Sequence, residues 1–295
     1  MHWTRPVVTI VALLCVVAGL TACGAGAGSP DTDTLRLGAI ATGSAPEEKE
    51  RYEAIADQLS ESLDMEIELI TSTEYFAIAE GLRGGKVDVA FLNSLGYVLT
   101  DTKVDLKPLA VGVDEADEPG YFSYLITSKP DEIRGPADVK GHSLAMASRL
   151  STSGYLYPTK ALENAGIDPE EDATLSSGGN HAANILAVGS GQVDAAFVDS
   201  VEYESAVKNG KVDPEKVVKV WESDRITGSP VVARSELDAE LLDRVRKALL
   251  DLKGTEDVPL GVEKTLKMGP VKPEDFDPIR KLATEIGLSV EDMKE

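Results

Sequence analysis

The sequence predicts an α/β protein of two lobes, each a central, mostly parallel sheet flanked by helices. Three observations predict this. Short apolar runs alternate with segments of helical periodicity, the pattern of strand–helix–strand units. A helix–strand unit recurs at a constant offset of 106 residues, from Gly85 to Gly191. The chain has 295 residues, 42% apolar and 27% charged, which is room for two lobes of ordinary size.

The elements follow in order. After Arg5, an unbroken apolar or small run from Val7 to Leu20 is too short for a bilayer, which needs about 20 residues, and reads as a signal h-region. It ends in Leu20-Thr21-Ala22-Cys23-Gly24, which resembles the lipobox of bacterial lipoproteins. That resemblance implies a signal peptide over 1–22, acylation of Cys23, and a tether over 23–33 rich in Gly, Ala, Ser and Asp. Cys15 would leave with the signal, so no disulfide is expected. Leu35 to Ile40 reads as a strand. Tyr52, Ile55, Leu59 and Leu63 then recur at helical spacing, and Met65 to Ile70 alternates as a strand. A helix over 74–83 ends at Gly84-Gly85, and Val87 to Leu92 is a nearly continuous apolar strand. Leu242, Val245, Leu249 and Leu252 mark a packing helix over 238–252.

The repeat aligns Gly85-Lys86-Val87-Asp88-Val89-Ala90-Phe91-Leu92-Asn93-Ser94 with Gly191-Gln192-Val193-Asp194-Ala195-Ala196-Phe197-Val198-Asp199-Ser200. The aspartate after Val and the closing serine are not demanded by core packing, so the match points to two lobes on one plan. The same offset carries Tyr75 onto His181, each in the first turn of its helix, so two polar rings are expected to face one cleft.

Composition excludes several classes. Lys plus Arg is 29 and Asp plus Glu 51, a net charge of −22 that repels nucleic acid. Three histidines, two cysteines and no C-x-x-C exclude zinc fingers and iron–sulfur sites, and no carboxylate cluster has hard-cation spacing. No metal or cofactor is therefore expected. Ser153 with His181 invites a hydrolase reading, but no G-x-S-x-G surrounds the serine, and no enzyme is expected.

The strongest chemical signal is Ser151-Thr152-Ser153-Gly154, between the strand Ser143 to Ala147 and a helix running to Gly166. The first N–H groups of a helix lack internal partners, and the aligned peptides place about half a positive charge there. Three hydroxyls beside that end can hold an oxyanion with short-range donors, whatever the net charge.

With Thr73-Glu74-Tyr75, Gly120-Tyr121-Phe122-Ser123, Asn180-His181 and Gln192-Val193-Asp194, this string resembles the phosphonate-type substrate-binding proteins of ABC importers, over about residues 34–235. The resemblance implies the type 2 periplasmic-binding fold, with lobe 1 over 34–122 and 231–295 and lobe 2 over 123–230 with the two crossings. It implies that Tyr75 and Tyr121 donate phenol groups, that Ser151, Thr152 and Ser153 cradle oxygens, and that His181 donates from its ring, more strongly when protonated. Carboxylates that receive an ammonium group in aminoalkylphosphonate binders have Val201 and Ser229 as counterparts here, which favours an amine-free ligand, although Asp199 and Glu202 lie near the first of these positions and could substitute. In the alternative, Asp199 accepts a hydrogen bond from a protonated P–OH, which would favour phosphorus oxyanions over sulfate. The implied partners are a small oxyanion and an ABC permease, the protein being monomeric and lipid-anchored on the extracytoplasmic face. Two other readings use the same fold: a binding protein for a different small solute, and a signalling or adhesion lipoprotein.

Overall fold

Residues 34–40, 46–72, 74–114, 116–255, 259–260 and 265–294 are described in the computed structural model. The expected signal peptide, Cys23, the tether and Thr73 lie outside the described residues.

The apolar runs become the strands of two sheets. The first contains β1 (Thr34–Ile40), β2 (Glu66–Ser72), β3 (Val89–Phe91), β4 (Leu106–Val113), β10 (Pro230–Arg234) and β11 (Lys267–Gly269), in the order β11-β4-β10-β3-β1-β2. The second contains β5 (Ser123–Thr127), β6 (Ser143–Ala147), β7 (Thr174–Gly179), β8 (Ala195–Asp199) and β9 (Val218–Glu222), in the order β7-β6-β8-β5-β9. The helices are α1 (Pro46–Leu63), α2 (Tyr75–Arg83), α3 (Ser94–Asp101), α4 (Tyr157–Asn164), α5 (Pro169–Asp172), α6 (His181–Gly189), α7 (Ser200–Lys208), α8 (Ala239–Asp251) and α9 (Asp277–Ile286). In the first sheet β1 to β4 point one way, while β10 and β11 run against them. In the second, β5 alone is reversed. The expectation of mostly parallel sheets is met, and β5 and β10, the strands that follow the two crossings, are reversed.

Helices cover the sheets as the periodicity requires. Tyr52, Ile55 and Leu59 of α1 and Leu242, Val245 and Leu249 of α8 bury one face of the first sheet; Ile78 and Leu82 of α2 bury the other. Each such side chain contributes about 1.5–3 kcal/mol by leaving water. Two expected bounds shift. The run from Val87 to Leu92 is a strand only over β3, because Val87 N–H still bonds Gly81 O in the last turn of α2. The helix expected after Ser151 starts as a π-wound turn, Thr152–Leu156, in which Ser151 O accepts from both Tyr155 N–H and Leu156 N–H.

The sequence repeat is a structural repeat. Helices α2 and α6 both have nine residues and start and end 106 positions apart. Each leads through a left-handed glycine, Gly85 or Gly191, into a strand and then a capped helix, β3–α3 or β8–α7. The repeated aspartates have a structural task that packing alone does not reveal. Asp88 Oδ2 accepts from the backbone N–H of Arg36 (3.1 Å), and Asp194 Oδ2 from that of Ser143 (3.0 Å), so each pins the start of the neighbouring strand. Asp88 is buried and paired with the Arg36 guanidinium at 2.6 Å, while the bond from Lys129 holds Asp194 well below the usual carboxylate range. The repeated serines hold the crossings. Ser94 Oγ donates to Thr227 O (2.6 Å), and Ser200 Oγ accepts from Phe122 N–H (3.1 Å). The two crossing stretches also pair with each other through Tyr121 and Ile226.

Candidate functional site

Five helical N-termini meet at the ends of the parallel strands, where ligands of open α/β sheets bind. They form a continuous series of contacts. Tyr75, the first residue of α2, packs beside Gly96 in the first turn of α3, where an added Cβ would lie 3.8 Å from its ring. Leu95 N–H, at the start of α3, donates to Thr152 Oγ1 at 3.1 Å. Ser151 Oγ lies 3.1 Å from Nε2 of His181, the first residue of α6. His181 Nδ1 accepts from Asp199 N–H at 3.0 Å, and Asp199 caps α7 through Oδ1. The aligned peptide dipoles at these ends concentrate positive potential in a protein of net charge −22.

The π-wound turn is the centre of this arrangement. Ser151 caps it by accepting from Gly154 N–H at 2.9 Å. Thr152 and Ser153 are each 1% exposed. Thr152 Oγ1 accepts from Leu95 N–H and keeps its own proton to donate, and no hydrogen bond to Ser153 Oγ is formed among the described residues. Ser123 Oγ donates to Ser153 O (2.6 Å), fixing the turn against β5. Gly154 is required because a Cβ there would sit 2.4 Å from Ala147 Cβ and 2.8 Å from His181 Cε1.

The other expected residues fall nearby. Tyr121 is buried at the crossing and shares an apolar cluster with Leu150 and Leu156, against which Tyr75 also packs. Val201 packs on that cluster and Ser229 is buried at the second crossing, so neither amine-recognition counterpart supplies a carboxylate. The Asp199 carboxylate has a local task, since Oδ1 takes two N–H groups of α7. Sequence reasoning missed the roles of Asn93 and Leu95. Asn93 caps α3 and its Nδ2 donates to Leu150 O at 2.8 Å, which with the Leu95 bond ties α3 to the turn. An asparagine before the closing serine of the repeat was a capping signal. Leu95 acts only through its backbone and left none.

Burial pushes the His181 imidazole down to about 4, with the field of Glu202 opposing; the ring is enclosed by protein although the residue keeps some accessible surface. The ring is therefore neutral, so the stronger, protonated form of the expected donor is not the one present at neutral pH. A triad base would offer Nδ1–H to an acceptor and leave Nε2 bare for the serine; here Nδ1 is the acceptor, the reverse arrangement. Below pH 6.5 the unfolded chain takes up a proton that the folded ring refuses until about pH 4. Stability is expected to fall as pH falls through this window, by at most about 3 kcal/mol. Urea midpoints against pH check this, and His181→Gln should remove that part of the acid dependence.

Among the described residues no group of His, Cys, Asp and Glu could hold a metal ion, and no helix is long and apolar enough to cross a membrane.

A family model described as ABC transporter, phosphonate, periplasmic substrate-binding protein matches residues 37–275. The phosphate-import protein PhnD of Mycolicibacterium smegmatis is 30% identical over 253 residues, covering 80% of this chain and 78% of that protein. The phosphonates-binding periplasmic protein of Escherichia coli is 26% identical, over 84% of this chain and 75% of its own length. The structure of PhnD1 from Prochlorococcus marinus in complex with methylphosphonate shares the fold, with a TM-score of 0.71 at 19% identity over 86% of this chain and 98% of that one.

Proposed function

The chain belongs to the family of periplasmic phosphonate substrate-binding proteins of ABC transporters, and on that premise we propose that it captures an amine-free phosphorus oxyanion between two closing lobes and delivers it to a membrane permease. The observation that carries this reading is the run of helical N-termini joined through Thr152, Ser151 and His181. Lobe 1 is 34–122 with 231–295, and lobe 2 is 123–230. The crossings held by Ser94 and Ser200 act as the hinge. Ser151, Thr152 and Ser153 hold ligand oxygens, and Tyr75 and Tyr121 donate from their phenols. A ligand that touches both lobes favours the closed state by the difference in its affinity for the two. Val201 and Ser229 carry no charge where aminoalkylphosphonate binders present carboxylates, which supports phosphate, phosphite or methylphosphonate over aminoalkylphosphonates. The Asp199 carboxylate accepts a hydrogen bond from P–OH where the ligand has one.

A thermal-shift screen of phosphate, phosphite, methylphosphonate, an aminoalkylphosphonate and sulfate tests this. At a hundred times its dissociation constant a true ligand stabilises by about 2.7 kcal/mol. An amine-free phosphorus oxyanion is expected to raise the melting temperature most; no shift with any of them sinks the reading. Asp199→Asn is expected to narrow the margin over sulfate, and an unchanged margin removes Asp199 from it.

The protein acts as a monomer, anchored on the extracytoplasmic face by lipid on Cys23. One acyl chain binds reversibly, so stable anchoring needs a second. Incorporation of labelled fatty acid that persists in Cys23→Ser would rule this attachment out.

A further inference from the structure

Ser151 Oγ meets two hydrogen-bonding groups whose roles are forced. The backbone amide of Asp199 can only donate, so His181 Nδ1, 3.0 Å away, carries no proton. A neutral ring then carries its proton on Nε2, which faces Ser151 Oγ at 3.1 Å and donates to it. Gly154 N–H donates to the same oxygen at 2.9 Å. A hydroxyl has two accepting lone pairs and one proton. Both lone pairs are occupied, so the proton alone is left to offer.

We propose that His181 is a positioning residue that reaches the ligand through Ser151, making that hydroxyl an obligate donor, so this corner of the site takes only a ligand vertex that accepts a hydrogen bond, an oxygen. The inference rests on the functional reading above and deepens it. A P–H or P–CH3 vertex must turn away from Ser151, and a P–OH vertex must present its oxygen there and its proton elsewhere, which fixes how an asymmetric ligand sits. The surroundings keep the ring in this form. Glu202, in the first turn of α7, is the ionisable group whose field reaches it, Asp199 holds Nδ1 through its backbone, and Ser151 to Gly154 bring no charge. His181 therefore adds no positive charge at neutral pH.

Two measurements test this on the full chain. In the first, 15N spectra of histidine side chains at neutral pH are expected to give, for His181, a bare Nδ1 and a protonated Nε2, with or without ligand. In the second, methylphosphonate affinity is measured calorimetrically for wild type, Ser151→Ala, His181→Leu, His181→Gln and the double variant Ser151→Ala/His181→Leu. Each of Ser151→Ala and His181→Leu is expected to lose about tenfold or more. The double variant should lose no more than either alone, because one path is cut twice. His181→Gln keeps an amide N–H toward Ser151 and is expected to recover most of the affinity, a rescue that a purely structural ring would not predict. Additive losses, or a protonated Nδ1, overturn the inference while leaving the oxyanion reading intact. Wild-type protein that binds no phosphorus oxyanion overturns both, and the spectra still report which nitrogen is protonated.

Discussion

Gly154→Ala is expected to abolish oxyanion capture while leaving a folded protein. The added methyl group would lie 2.4 Å from Ala147 Cβ, 2.8 Å from His181 Cε1 and 3.0 Å from Ser151 Oγ. None of these can yield cheaply. Ala147 is the last residue of β6, the imidazole is held by Asp199 N–H, and Ser151 caps the turn. The turn must shift, or the imidazole must leave Ser151. Overpacking of this kind costs about 1–3 kcal/mol of stability. The loss in binding should be larger, because hydrogen bonds to a charged ligand contribute about 1.5–3 kcal/mol each and several donors move together. A decrease of a hundredfold or more is about 2.7 kcal/mol. Calorimetric titration with the oxyanion that stabilises the protein most, alongside a urea midpoint, separates the two effects. Near wild-type affinity would mean that the π-wound turn does not touch the ligand.

Gly120→Ala is expected to destabilise the crossing itself. Gly120 has φ +109, a conformation that side-chain-bearing residues rarely adopt, and a Cβ there would meet Ile226 O at 2.2 Å and its carbonyl carbon at 3.2 Å. The obstacle is backbone, and it belongs to the residue that pairs with Tyr121 through two hydrogen bonds, of 3.1 and 2.8 Å. Strain and clash together are expected to cost about 3 kcal/mol or more. For a chain of this size that lowers the melting temperature by roughly 6–12 °C. Gly135→Ala is the control, since an added Cβ there meets nothing within 4 Å. Equal melting of the two variants would contradict the pairing of the crossing stretches. Ligand affinity should also fall in Gly120→Ala, because Tyr121 is the next residue and Phe122 is held by Ser200 at the start of α7.

The repeat was the most informative part of the sequence, yet its residues served ends that spacing could not assign. Asp88 and Asp194 stood out because a core does not need them; they anchor the starts of β1 and β6. Ser94 and Ser200 stood out for the same reason and hold the crossings between the sheets. Tyr75 and His181 were paired by offset alone, and the structure places both at helical N-termini along one series of contacts. Their surroundings differ. Tyr75 packs on an apolar cluster, whereas His181 is fixed by hydrogen bonds at both nitrogens.

The sequence by itself determined the α/β class, the strands and helices from Leu35 to Leu92, the repeat and the hydroxyl-rich string Ser151–Gly154, because all of these are written in local periodicity and in residue types that suit one conformation. The tertiary structure decided the direction of each donor at the site. Which nitrogen of His181 is bare, which oxygen Leu95 N–H reaches and why Gly154 has no room for a methyl group depend on atoms brought together from residues 95 to 199. Hydrogen bonds act over about 3 Å and only in line. No spacing along the chain encodes distances that short between segments that far apart.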